Sequence, residues 1–226
     1  MTNKWEKCQV REREWWLRWK KRSDLKAVKA ELIGRADRLK PFLPQTGRPL
    51  KILQIGPAAN GEVHFLEGER FAIDPLASFF KENFRELIDP EVKFVDGLGE
   101  KLPYADSFFD VILILNVLDH CAEPVKVMRE IERALVPGGR LILEVNVYSP
   151  LAALGHRVFN FLDREHPHAL TETKIKQELA AGFRLIDEQA SRVTLPGYDI
   201  LKRSVLWLLM RLNLSPLNYR LTAEKK

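Results

Sequence analysis

The spacing of apolar residues changes near residue 50 and divides the chain into two regimes. Residues 3–40 contain no proline, and Leu25, Val28, Leu32 and Leu39 recur at helical spacing. Gly34 alone breaks that pattern. Ser23-Asp24 is an N-cap pair that splits the region into two helices. Residues 41–49 are rich in proline and glycine and read as a linker. From residue 50 short apolar runs predict strands at 50–55, 69–73, 91–95, 109–115 and 140–147. Helices are predicted between them at 61–67, 76–88 and 123–135. The run Phe109–Leu115 is apolar apart from Asp110, as a central parallel strand is. Alternation of strand and helix signals an α/β parallel sheet. Beyond residue 148 the alternation stops: 149–170 is irregular, 171–181 helical, 183–188 a strand, 199–212 a basic amphipathic helix and 219–223 a closing strand.

Composition removes several classes. The chain has 226 residues, 46% of them hydrophobic, enough for a packed core. Cys8 and Cys121 form no CxxC pair, and five histidines offer no HExxH or Cys/His cluster, so no metal site is expected. The longest apolar runs are five or six residues, against the ~20 that span a bilayer. The N-terminus opens on charged residues rather than a secretory signal. A soluble, cytoplasmic protein is expected. The net charge of +5 is uneven: residues 1–40 hold 13 Lys and Arg against 6 Asp and Glu, whereas 41–199 hold 17 against 24. A mildly acidic body carrying basic ends argues against a dedicated nucleic-acid binder.

In an open parallel sheet, ligands bind beyond the carboxyl ends of the strands. The first such loop is Gly56-Pro57-Ala58-Ala59-Asn60-Gly61. Glu62 and Val63 stand where a P-loop needs Lys and Ser or Thr, and the middle glycine of a dinucleotide fingerprint is absent. A nucleoside ligand without phosphates tolerates this loop. Asp74, ending the second strand, is placed to accept hydrogen bonds from both ribose hydroxyls. The plainer role is capping of a helix begun by Pro75.

Five ordered pieces carry a family likeness. They are Ile52-Leu53-Gln54-Ile55-Gly56 with Gly61, Ala72-Ile73-Asp74-Pro75, the run from Gly99 to Ile112, Asn116-Val117-Leu118-Asp119-His120, and the run from Arg133 to Leu141. The sequence resembles class I S-adenosylmethionine-dependent methyltransferases of the type 11 group, strongly over residues 50–147. The resemblance implies a three-layer Rossmann-like sandwich. Its mostly parallel seven-stranded sheet would have an antiparallel last strand, and a helical extension would precede it at 1–44. The domain would span 45–226, with a cover segment at 148–170. S-adenosylmethionine is the implied cofactor. Gly56, Gly61 and Gln54 would meet its methionine end, Asp74 its ribose, Gly99 and Glu100 its adenine, and Leu115 and Asn116 its sulfonium. Three positions depart from the family: Gln54 replaces an acid, Ala58 stands where a second glycine is common, and Leu98 stands where Asp is frequent.

The implied reaction moves a methyl group to an oxygen, or secondarily a nitrogen, of a small-molecule, glycan or lipid-intermediate acceptor. A hydroxyl acceptor needs a base. His120, His166 and His168 are the candidates, with Asp119 and Glu165 as partners. Tyr148, after the fifth strand, lines the pocket or simply packs. Two other functions stay open: a catalytically silent cofactor-binding partner protein, and an RNA methyltransferase. Asn116-Val117-Leu118-Asp119 lacks the Asn-Pro-Pro-Tyr pattern of base methylation, so nucleic acid is the weaker option. Trp15, Trp16 and Trp19 either dock the first helix on the domain or form a lid over the site. The basic helix 199–212 either packs on its own domain or touches an anionic membrane surface peripherally.

Overall fold

The computed structural model describes residues 2–149, 153, 168–192 and 217–226. Most of the expected cover segment, including His166, and the expected helix 199–212 lie outside the described residues. In chain order the elements are α1 (Thr2–Arg22), α2 (Leu25–Leu39), β1 (Lys51–Ile55), β2 (Glu69–Asp74), α3 (Ala77–Asn83) and β3 (Lys93–Asp96). They continue with β4 (Phe109–Leu115), α4 (Pro124–Ala134), β5 (Leu135–Val147), α5 (Glu172–Leu179), β6 (Phe183–Arg192) and β7 (Leu217–Lys225). Asp24 caps α2 by accepting from the amides of Lys26 and Ala27, and Thr171 caps α5. The Asp24 cap matches the N-cap pair expected from the sequence.

The strands form one sheet in the order β3-β2-β1-β4-β5-β7-β6. β1 to β5 are mutually parallel, and β7 runs antiparallel between β5 and β6. Every residue of β4 is buried, because helices cover both faces. One face packs Leu53, Ile55, Ile112 and Ile114 against Val127 and Ile131 of α4. The other packs Ile52, Val111, Leu113 and Ile142 with Leu32, Ala36 and Leu39 of α2 and Phe80 of α3. The helix expected at 61–67 is a short 3-10 turn, Glu62–Phe65. α2 is therefore a helical layer of the sandwich. α1 joins the same layer through Trp16, whose ring meets Phe80 and Phe84 edge-on with centroids 5.4 and 5.8 Å apart. This is the docking role expected of the tryptophans, although Trp15 stays half exposed.

Several boundaries differ from the pattern, and two of them have a visible cause. The helix expected over 76–88 ends at Asn83, because Phe84 leaves helical geometry and is buried in the turn. Pro75 therefore does not open it; Leu76 is its N-cap residue. β5 begins at Leu135, ahead of Pro137-Gly138-Gly139, and the register with β4 shifts between Phe109 and Val111. Gly138 has a φ of 75°, which lets the chain fold through this irregularity.

Candidate active site

β1 lies between β2 and β4, so the strand order reverses at the β1–β4 boundary. The carboxyl ends meeting there form the switch-point crevice of an open α/β sheet. Gly56 leaves β1 with a φ of 64°, and a Cβ on it would sit 2.6 Å from Val117 Cγ1. A side chain there is excluded by both conformation and space. At Gly61 a Cβ would come 2.3 Å from Pro57 and 3.0 Å from Gln54 Oε1. The two glycines keep the β1 loop folded tightly over the strand end.

Asp74 closes β2 inside this crevice and is 5% exposed. Its Oδ1 accepts from the Leu76 amide at 2.8 Å and its Oδ2 from the Ala58 amide at 3.1 Å. It thereby ties the glycine loop to the next turn instead of capping α3. No cation pairs with it among the described residues. Burial pushes its carboxyl up to about 7, reinforced by the charges of Glu12 and Asp96 and opposed by the two amides. Glu12 reaches this spot from α1. Burial raises its carboxyl too, opposed by a hydrogen bond with Trp16 and the charge of His120. A buried carboxylate with no cation and free lone pairs fits the hydroxyls of a ribose.

The other predicted cofactor residues divide into two groups. Gly99 packs against the sheet, with a Cβ position 2.9 Å from Ile55 Cγ2. Glu100 accepts from the amides of Ala122 and Glu123 at 2.9 and 3.3 Å, so it satisfies the start of α4. Asp96 is bound to the amide and hydroxyl of Ser78 and is spent on α3. Leu115 and Asn116 line a cavity of about 300 Å³ with Arg35, Arg38, Glu62, Glu144 and Arg220. Asn116 sits in left-handed backbone geometry, φ 57°, and donates to Glu144 Oε1 at 3.0 Å.

Gln54 is 2% exposed and fully engaged by the protein. Its Oε1 accepts from the Val63 amide at 2.8 Å, and its Nε2 donates to Glu62 Oε2 at 2.8 Å. Glu62, itself buried, is ion-paired with Arg35 of α2. The acid missing at position 54 is thus present one layer away, at position 62. Sequence spacing did not reveal the Arg35–Glu62–Gln54 chain. Its one signal was an acidic residue where a P-loop would carry lysine.

Of the base candidates, His120 places Nε2 4.0 Å from Asp119 Oδ1, and its side chain is 46% exposed. Asp119 is buried, and its Oδ1 has no hydrogen-bond partner. His168 is half-buried just before α5. Tyr148 donates its amide to Leu170 at 2.8 Å, joining the end of β5 to the start of that helix. No cluster of three potential metal ligands occurs among the described residues. No helix among the described residues is long and apolar enough to cross a membrane.

Comparison with known proteins agrees with this geometry. The family described as a methyltransferase domain, type 11, matches residues 53–143. The ubiquinone/menaquinone biosynthesis C-methyltransferase of Idiomarina loihiensis is 32% identical over 117 residues, covering 48% of this chain and 46% of that protein. The protein of the same description from Psychromonas ingrahamii is 30% identical over 134 residues, covering 57% of this chain and 50% of that one. The chain spans about half the length of these curated relatives. Among solved structures, geranyl diphosphate C-methyltransferase from Streptomyces coelicolor has a TM-score of 0.68 at 16% identity, covering 85% of this chain and 78% of its own. A [4+2]-cyclase has a TM-score of 0.63 at 19% identity, covering 85% and 80%. The fold alone therefore does not fix the reaction. The strand order, the β1 loop and Asp74 agree with the matched segment: residues 53–143 are similar to a methyltransferase domain, set in a Rossmann-like methyltransferase fold.

Proposed function

We propose that this protein transfers a methyl group from S-adenosylmethionine to a small-molecule acceptor. The observation that carries this reading is Asp74: a buried, cation-free carboxylate at the end of β2, fastened to the β1 glycine loop. The cofactor supplies an electrophilic methyl group on its sulfonium. The protein's task is then to hold and orient both partners and to keep water out. Asp74 takes the ribose hydroxyls, the Gly56–Gly61 loop lies along the methionine end, and Leu115 and Asn116 border the crevice where the acceptor enters. Glu12 brings α1 against this nucleoside position. His120, held near Asp119, is the described group best placed to accept a proton from an acceptor.

The curated relatives are described as C-methyltransferases, which adds carbon to the oxygen acceptor expected from the sequence. Both acceptors become nucleophilic on losing a proton. The relatives' quinone-biosynthesis description and the geranyl diphosphate enzyme support a small-molecule acceptor, and the basic segment expected to touch a membrane lies outside the described residues.

Calorimetric titration with S-adenosylhomocysteine tests the reading. Saturable binding is expected, and Asp74→Ala should weaken it by about 1–3 kcal/mol through loss of charge-assisted hydrogen bonds. Unchanged affinity in a folded Asp74→Ala variant would reduce Asp74 to a loop fastener.

The raised Asp74 carboxyl adds a pH signature. Between its ordinary value of 3.8 and about 7, the folded protein holds a proton that the unfolded chain has released. The ligand-free protein should therefore lose stability from Asp74 as pH rises through that window. Ribose hydroxyls donate to the ionised form, so affinity for S-adenosylhomocysteine should rise between about pH 6 and pH 8. Binding near pH 6 should release a proton, read as a heat that depends on the buffer's ionisation enthalpy. A flat pH profile would show that Asp74 does not meet the nucleoside.

A further inference from the structure

The cavity beside Leu115 and Asn116 has an imbalance of hydrogen-bonding capacity. Three guanidinium groups and three carboxylates line it: Arg35, Arg38 and Arg220, with Glu31, Glu62 and Glu144. Two of the carboxylates are spent inside the protein. Glu62 gives one oxygen to Arg35 and the other to Gln54. Glu144 Oε1 accepts from Asn116 and Asn218, and its Oε2 accepts from Arg220 Nε at 2.8 Å and from Arg220 Nη2. The guanidiniums are not spent. Arg35 and Arg220 each keep an Nη1 without a described partner. Arg38 is exposed and makes no ion pair or side-chain hydrogen bond with any described residue. Glu31, on the outer side of α2, is the one lining carboxylate without a partner among the described residues. The wall thus offers several unused N–H donors and few unused acceptors. Carboxylates that already back Arg35 and Arg220 also fix where those forks point.

We propose that this cavity is an oxyanion subsite for the acceptor, taking a carboxylate or phosphate group carried by the small molecule to be methylated. Arg38 is its principal contact, flanked by Arg35 and Arg220. The proposal rests on the methyltransferase reading, because that reading puts the transferred methyl beside Leu115 and Asn116. A cavity of about 300 Å³ accommodates a small acceptor's charged end. The same oxyanion chemistry has a second bearer, the carboxylate at the methionine end of the cofactor, and the test separates the two.

Inorganic pyrophosphate is the probe, titrated calorimetrically into the full chain at about 0.15 M salt, where exposed charge pairs are largely screened. It is titrated into the protein alone and into protein saturated with S-adenosylhomocysteine. The expected result is binding in both, weakened about tenfold or more by Arg38→Gln, with affinity for S-adenosylhomocysteine altered less than about twofold. Glu31→Gln should tighten pyrophosphate by removing the one unspent carboxylate. Arg38 and Glu31 are exposed on α2, so both variants should keep the fold. Competition between pyrophosphate and S-adenosylhomocysteine would assign the oxyanion to the cofactor and overturn the proposal. Absence of pyrophosphate binding, or equal binding by Arg38→Gln, would overturn it as well. Failure of S-adenosylhomocysteine to bind would sink the methyltransferase reading instead, and that arm is read separately.

Discussion

Trp16→Ala should cost about 3–5 kcal/mol of folding stability, the range for truncating a large buried aromatic. Trp16 is 7% exposed, and its ring meets Trp15, Trp19, Phe80 and Phe84 with centroids between 5.0 and 5.8 Å. Edge-on aromatic pairs of this kind contribute about 0.5–1.5 kcal/mol each beyond the area they bury. The substitution also removes the indole that opposes the rise in the half-buried Glu12 carboxyl's pKa. Urea unfolding followed by far-UV circular dichroism reads the loss without depending on tryptophan emission. If α1 were a loosely attached appendage, the main transition would keep its midpoint, and only a small early loss of helix would be seen.

Arg35→Ala should be comparably severe, for an electrostatic reason. Glu62's side chain is 3% exposed, whereas that of Arg35 reaches solvent at 31%. Removing the cation strands a buried carboxylate whose remaining side-chain donor is Gln54 Nε2. Breaking a buried pair from one side typically costs about 3–5 kcal/mol. The double variant Arg35→Ala/Glu62→Gln should recover part of that loss, because no uncompensated charge remains. A loss below about 1 kcal/mol for the single variant would mean that water reaches Glu62 and that the pair behaves as a surface bridge. Gln54 is bonded to both Glu62 and the Val63 amide, so the single variant should also loosen the turn over Glu62–Phe65 at the end of the β1 loop.

Much of the fold is written in apolar spacing. Phe109–Leu115 reads as a central strand because only Asp110 interrupts its apolar run, and burial on both faces is what such a run requires. β2 is framed by Asp74-Pro75, and the caps at Asp24 and Thr171 follow from side chains that accept amide protons. Where the pattern misled, tertiary packing overrode local preference. Phe84, Leu87 and Ile88 have helical spacing, yet they are buried in a turn beneath α1. Pro137-Gly138-Gly139 has turn composition, yet it is taken into the first part of β5.

The site shows a similar division. Asp74 was legible because a strand end, a glycine loop and a family motif all point to one carboxylate. Arg35, Glu62, Glu144 and Arg220 were not, since charged residues on a helix or strand give no period that identifies a partner. Arg220 meets Glu144 across 76 positions of chain. Only the assembled sheet brings them to one wall. Glu12 was hidden for a related reason: a lone acid on a basic, tryptophan-rich helix looks like an ordinary solvated charge until the helix is docked.

The place of β7 has a consequence for how the molecule is made. It enters between β5 and β6, pairing from Arg140 with Glu224 to Val147 with Leu217, and among the described strands it is the sole neighbour of β6. Both flanking strands are therefore synthesised before the strand that joins them. Any ribosome-bound fragment short of residue 217 has a parallel sheet with β5 as a bare edge, and a β6 with nothing to pair against. At roughly 5–20 residues per second, that exposed interval lasts seconds. Completion of the sheet thus waits for β7, and during that interval the unpaired edges are open to other chains.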